Sequence, residues 1–248
     1  MSQHHPSINM LAEYCAGTLG MAEALSISAH LHYCHSCRCQ VENLNRLNGT
    51  LLSDENFSQA FQEPSAAKAH TAVNHGEQSI DSLLQSTLNR IDALDNHSSS
   101  ETTLSGVPIQ QASIANKIRK DLPPVIAKLI VKPRFLRWKK LSPAMEAAKL
   151  SAGQNECEVS LIKIKAGGRV LEHDHRGNEY TVVLRGAFSD QDGIYSAGDF
   201  IHRKPNEIHA PCATADADCL CLTVVDAPLK FTGLIGCLIN PFMKLQPS

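Results

Sequence analysis

From Gly167 to Gly186 the chain reads GGRVLEHDHRGNEYTVVLRG, the run that most limits what it can fold into. Side chains two apart on an extended strand point to the same side. His173 and His175 therefore present both imidazoles to one face, Glu179 follows after a short turn, and Gly186 closes the next hairpin. Around this run, VSLIKIKAGG, YTVVLRGAFSD, DGIYSAGDFIH and CLCLTVVDA are short β-rich segments broken by Gly-Gly, Asp-Gly and Ala-Gly-Asp. Many short strands separated by such turns predict an antiparallel sandwich or barrel. A third imidazole has two candidates: His202, within a strand-like run after Gly198-Asp199, and His209, which ends PNEIH where Pro205 can make the turn.

The first fifty residues follow a different period. Leu11, Tyr14 and Cys15 space as one face of a short helix. A second helix is predicted from about Met21 to Tyr33, with Leu25, Ala29 and His32 on one side and Ile27 and Leu31 beside it. A third begins near Ser36 and carries Cys37, Val41, Leu44 and Leu47 at helical spacing. Residues 79–94 repeat the pattern, residues 54–76 are polar and Ala-rich without a period, and residues 97–106 (HSSSETTLSG) look like a linker. The expected organisation is a helical domain over 1–96, a linker over 97–120 and a β-domain over 121–248, an α + β two-domain chain.

The stretch HLHYCHSCRCQV, residues 30–41, falls at the junction of the second and third helices. Zinc takes four soft or borderline ligands in a tetrahedron. Cys34 and Cys37 form a C-x-x-C pair, and His30 lies one helical turn before Cys34, so its ring can reach the same point. The fourth ligand must come from elsewhere, and His4 and His5 are the candidates. His5 is preferred because it is nearer to Leu11, whose helix must pack on the other two. His32, His35 and Cys39 are bystanders on this reading. Cys219 and Cys221 alternate on a strand and read as core thiols, since buried Cys behaves as a small hydrophobe. Trp138 in RFLRWKK reads as a rim residue on a basic surface.

Charge narrows the partners. The whole chain carries a formal net charge of -2. The first 96 residues hold ten acidic and four basic side chains, a balance of -6 that leaves +4 for the rest. Such a segment is poorly suited to phosphates and better suited to a basic protein surface. That disfavours a zinc-dependent DNA-binding regulator. No cationic stretch followed by an apolar core opens the chain, and no apolar run approaches the roughly 18–20 residues that span a bilayer. The expectation is a cytoplasmic protein whose nine cysteines bind metal or fill cores.

His5, His30, Cys34 and Cys37 resemble the pattern of the zinc-binding anti-sigma domain of bacterial proteins that sequester extracytoplasmic-function sigma factors. In that family three helices pack around the zinc and a fourth stands apart, a place that residues 79–94 fit. The run G-x5-H-x-H-x3-E-x6-G from Gly167 is similar to the first motif of the cupin superfamily, and P-x-x-x-H is the commoner form of the second motif, which selects His209 over His202. Three imidazoles and a carboxylate suit zinc, iron, manganese or nickel. The order of the two domains resembles the ChrR-type anti-sigma factors over nearly the whole chain. The resemblance implies metal ligands His5, His30, Cys34 and Cys37 for zinc, and His173, His175, Glu179 and His209 for zinc or another divalent transition metal. It also implies an extracytoplasmic-function sigma factor as partner, release of that partner under singlet oxygen, and no catalytic residues. The rival reading is a metal-dependent cupin oxygenase with a zinc-binding helical appendage.

Overall fold

A computed structural model describes residues 2–53, 122–130, 136–154 and 156–232. The expected fourth helix, the polar stretch before it, the linker run and the apolar run 233–245 with Cys237 lie outside the described residues.

Three helices open the chain: α1 (Ile8–Ala16), α2 (Met21–Tyr33) and α3 (His35–Ser53). The Ser7 hydroxyl caps α1 by accepting from the Met10 N–H at 3.2 Å, and Gly17 ends it in the left-handed region at φ 70°, a conformation that costs glycine little. Cys34, in extended backbone, is the single residue between α2 and α3. So sharp a break swings Cys37 in the first turn of α3 back towards Cys34. Among the described residues, a short helix α4 (Pro124–Leu129) then leads to eleven strands.

The strands are β1 (Trp138–Lys140), β2 (Met145–Lys149), β3 (Glu158–Ile164), β4 (His173–His175), β5 (Glu179–Arg185), β6 (Ala187–Ser189), β7 (Ile194–Ser196), β8 (Phe200–Arg203), β9 (Cys212–Ala213), β10 (Cys219–Val225) and β11 (Leu229–Phe231). The largest sheet runs β1-β2-β3-β10-β5-β8, all antiparallel, and is accompanied by the pairs β11-β4 and the three-stranded β7-β6-β9. A bridge between His173 and His209 joins the β4 region to the loop before β9. These are the antiparallel strands and tight turns that the sequence predicts, closed around a central cavity.

The middle strands do not alternate apolar with polar; VVL in β5 and CLCL in β10 are continuously buried. The reason is that both faces are covered. Val159, Leu161, Val182, Leu184, Phe200, Leu220, Leu222 and Val224 share one core with Leu11, Leu25, Ile27 and Ala29 of the helices. Ile164, Val183, Ile201, Cys219 and Cys221 fill the barrel interior instead. The row Leu161–Leu222–Val182 runs straight across β3, β10 and β5. Fully burying each such side chain stabilises the fold by about 1.5–3 kcal/mol. The described helices and strands thus form one compact unit.

His32, read as a bystander, is exposed, because α2 buries the stripe Ala22, Leu25, Ser26, Ala29 and His30 and the last turn carries His32 past it. Two expectations are corrected. Leu47 is 55% exposed although it continues the Cys37–Val41–Leu44 spacing, since none of the described residues covers that end of α3. Trp138 is half-buried against the shared core rather than standing on a basic rim, because its indole offers more apolar area than its charged neighbours.

Candidate metal centres

The α2–α3 break and the N-terminal arm assemble the first cluster. One ligand atom from each of His5, His30, Cys34 and Cys37 lies within 4.8 Å of the others. His5 Nδ1 is 3.4 Å from both sulfurs, and the Cys37 N–H donates to Cys34 Sγ at 3.4 Å. His30 is fully buried. Its Nδ1–H donates to the Gly198 carbonyl at 2.7 Å, which leaves Nε2 as a buried lone pair without a hydrogen-bond partner. Burial pushes His30 down to about 4, so the ring is neutral at pH 7. Burial, with the Cys34 sulfur beside it, pushes the Cys37 thiol up to about 12. Two thiols, an orphaned imidazole nitrogen and a second imidazole fit zinc, whose charge ionises the thiols that burial otherwise keeps protonated. Of the two arm histidines the structure brings His5 to the cluster, and His4 packs instead on the Tyr195 ring at 4.7 Å.

The second cluster lies inside the barrel, where His173, His175, Glu179 and His209 each offer a ligand atom within 4.8 Å of the rest, all buried. Strand alternation brings His173 and His175 to one side of β4, and the β4–β5 turn returns Glu179 to them. His173 Nδ1–H donates to the Leu171 carbonyl at 2.8 Å, and His209 Nδ1–H donates to Asp190 Oδ2 at 3.1 Å. Both rings therefore carry their proton on Nδ1 and turn Nε2 lone pairs towards each other, 3.0 Å apart. Two lone pairs so placed repel unless a cation or a shared proton sits between them. Nitrogens bound to one ion at about 2.0–2.1 Å stand about 3 Å apart, so the spacing fits a metal. His175 Nε2 is buried without a partner, and its Nδ1 approaches Glu179 Oε2 at 3.2 Å.

Electrostatics agree with the geometry. Burial lowers the pKa of His175 and of His209, favouring neutral rings. Burial works against the Glu179 carboxylate, but the imidazoles of His175, His209 and His173 outweigh it and hold the pKa below its ordinary value; Thr181 Oγ1 also donates to Glu179 Oε1 at 2.7 Å. An ionised carboxylate among buried imidazoles is the environment of a divalent cation. A cavity of about 210 Å³ opens in front of the cluster, lined by His173, Glu179, His209 and Arg203 and by apolar side chains such as Ile164, Phe188 and Phe231. His202 lies on the other face of β8, stacked on Tyr180 and bonded to Asn178 Oδ1 at 3.0 Å.

Aligned with the anti-sigma-E factor ChrR of Cereibacter sphaeroides, the chain is 30% identical over 244 residues, covering 98% of this chain and 99% of the relative. The chain belongs to the ChrR family of anti-sigma factors. The family model of the ChrR cupin-like domain matches residues 127–227, which contain the whole barrel cluster. The crystal structure of Rhodobacter sphaeroides SigE in complex with the anti-sigma ChrR contains a chain that matches with a TM-score of 0.62 and 27% identity, covering 91% of this chain and all of that one. An RmlC-like cupin protein from Ralstonia eutropha is 18% identical, with a TM-score of 0.36, over 40% of this chain and 68% of its own.

Within this ChrR-family fold, the sequence alone does not single out the residues that hold the ligands. Arg203 donates to Asp190 Oδ2 and Asp192 Oδ2, each at 2.6 Å, and so fixes the carboxylate that orients His209. Asp190 and Asp192 stand in SDQDG, an acidic turn whose only visible sequence signal is its turn composition. Gly198 and Asp199, in the Ala-Gly-Asp turn, serve the helical cluster from the barrel side. Cys219 and Cys221 are buried core thiols with their sulfurs 3.6 Å apart.

Proposed function

We propose that this protein is a cytoplasmic anti-sigma factor that holds an extracytoplasmic-function sigma factor, one to one, through its helical part, and releases it under singlet oxygen, so regulating transcription. The observation that carries the reading is the end-to-end match to an anti-sigma factor, with both four-residue clusters gathered in space. Zinc occupies the helical cluster and organises the surface the partner grips; zinc or another divalent transition metal occupies the barrel cluster and serves sensing rather than turnover. The division of labour places the anti-sigma unit in 1–96, a linker in 97–120 and the sensory barrel in 121–248.

The helical surface supports such a partner. Ile8, Leu47, Leu51 and Leu52 are 57%, 55%, 46% and 70% exposed, an apolar set on α1 and α3 within a segment of net charge -6. Exposed apolar side chains inside an acidic surround suit a partner with apolar anchors and a basic rim. The cavity beside the barrel cluster favours the second reading, a cupin oxygenase with a helical appendage.

A sigma-dependent reporter, with the full chain co-expressed, separates the two. The parent represses in darkness, and Cys34→Ser with Cys37→Ser derepresses it. His173→Ala with Glu179→Ala represses in darkness but no longer releases under photosensitised light. Undiminished induction in that double variant, together with oxygen consumption by the purified parent on a small substrate, puts the oxygenase first.

A further inference from the structure

The two clusters are served by opposite faces of one short strand. β8 (Phe200–Arg203) spans about 10 Å, at roughly 3.3 Å per residue. At its start, the Gly198 carbonyl accepts from His30 Nδ1–H at 2.7 Å, and the Phe200 ring meets the His30 ring edge-on at 5.9 Å. The buried Asp199 carboxylate accepts the Gln3 and His4 N–H groups at 2.6 and 3.1 Å, and the Phe200 N–H donates to the His4 carbonyl at 3.0 Å. The arm that carries His5 is therefore pinned to the barrel on both sides of Asp199. Gly198 leaves no slack: an added Cβ would stand 2.8 Å from Tyr33 Cβ, at a φ of +96°.

At the other end of the strand, Arg203 lies in register with Glu179 and grips Asp190, whose carboxylate holds His209. Alternation gives the strand its two duties. Ile201 and Arg203 face the barrel cavity, while Phe200 faces His30. Its neighbours brace both ends: the Gly198 N–H donates to the Val183 carbonyl of β5 at 2.8 Å, the Ser196 N–H of β7 donates to Asp199 Oδ2 at 2.8 Å, and Arg203 donates to the Tyr195 hydroxyl of β7 at 3.0 Å.

We propose that β8 couples the two metal clusters, so that occupancy of the barrel set changes the affinity of the helical set through the 198–200 turn. Asp199, Phe200 and Arg203 are positioning residues in this coupling. It rests on the reading that both clusters hold ions, and not on the identity of the partner. A strand is stiff along its length, so a shift of Arg203 with Glu179 and Asp190 is carried to Gly198 and Asp199 rather than absorbed. Coupling of this kind is reciprocal: occupancy of the helical set must alter the barrel set by the same factor.

The test uses the full chain with cobalt(II) as probe. Sulfur-to-cobalt charge-transfer absorption reports the helical cluster alone, because the barrel set contains no sulfur. Cobalt affinity is measured by competition with EDTA, in the parent and in His173→Ala with His209→Ala, which removes two barrel ligands. The two affinities should differ by about tenfold, within the usual range for coupled sites. In Asp199→Ala the same ratio should fall to within about twofold of unity. A purely structural role for Asp199 would weaken cobalt binding equally in both barrel states and leave the ratio intact. A ratio of one in the parent, a tenfold ratio surviving in Asp199→Ala, or absence of the sulfur–cobalt bands each overturns the proposal. If Asp199→Ala does not fold, Asp199→Ser, whose shorter hydroxyl cannot reach both arm N–H groups, takes its place: a ratio near unity supports the coupling and a surviving tenfold ratio overturns it. Partner binding plays no part in the readout, so its loss with an intact ratio refutes the functional reading alone.

Discussion

Replacing Ile27 by Ala tests whether the helices and the barrel share a core in solution. Ile27 is fully buried in the cluster that contains Leu161, Leu222 and Val224 of the strands. The change removes three carbons, about 2.4 kcal/mol at about 0.8 kcal/mol per buried methylene. The residual cavity raises this to about 3–4 kcal/mol, inside the 2–5 kcal/mol range of such truncations. For a chain of this size each kcal/mol shifts Tm by about 2–4 °C, so a fall of about 6–16 °C is expected. Two probes are available. Circular dichroism at 222 nm is dominated by the helices, while fluorescence of Trp138, the single tryptophan, reports β1 at the end of the main sheet. With one shared core, both transitions should move down together by the same amount. A helical transition that falls while the Trp138 transition stays within about 1 °C of the parent would refute the shared core.

Further outcomes follow from individual contacts. Cys34→Ser with Cys37→Ser should abolish zinc retention at the helical cluster and lower helicity; zinc content after gel filtration and the 222 nm signal check both. Asp190→Asn weakens the acceptor for His209 and should lower barrel metal affinity by about 10–100-fold, as read by chelator competition, with little effect on the helical cluster's sulfur bands. Burial pushes the Cys157 thiol from the ordinary 9.0 up to about 11. At pH 8 its thiolate fraction is then about a hundredfold below that of a free thiol, so iodoacetamide labelling followed by peptide mapping should find Cys157 among the slowest cysteines. The folded state holds this proton more tightly than the unfolded chain does, so its stabilising contribution is fully present below pH 9 and is lost as pH rises from 9 to about 11. Gly198→Ala forces a Cβ against Tyr33 at positive φ and should cost about 1–3 kcal/mol, seen as a lower Tm.

Much of the candidate site was legible because its ligands are close in sequence. His30, Cys34 and Cys37 lie within eight residues, and a helix followed by a one-residue break is enough to bring them together. His173, His175 and Glu179 lie within seven, where strand alternation and one turn do the same. Local geometry decides such sets, and periodicity in the sequence records it. The distant members were harder. His5 and His209 each had a rival histidine nearby, and only tertiary placement distinguishes His5 at the sulfurs from His4 at Tyr195.

What the sequence by itself determined is therefore the element types, the turn positions and the sequence-local members of both candidate ligand sets. What only the tertiary structure decided is where the two halves meet. The continuous burial of VVL and CLCL reads as strand in either case, but nothing local says that α2 covers the outer face of β5 and β10. The bonds from Gly198 to His30 and from Asp199 to the N-terminal arm join residues 168 and about 195 positions apart. Such contacts form only when the whole sheet presents its backbone at the right place. A hydrogen bond accepted by a backbone carbonyl leaves no signature in the residue type that carries it, which is why Gly198 looks like turn punctuation in the sequence and orients the His30 ring in the fold.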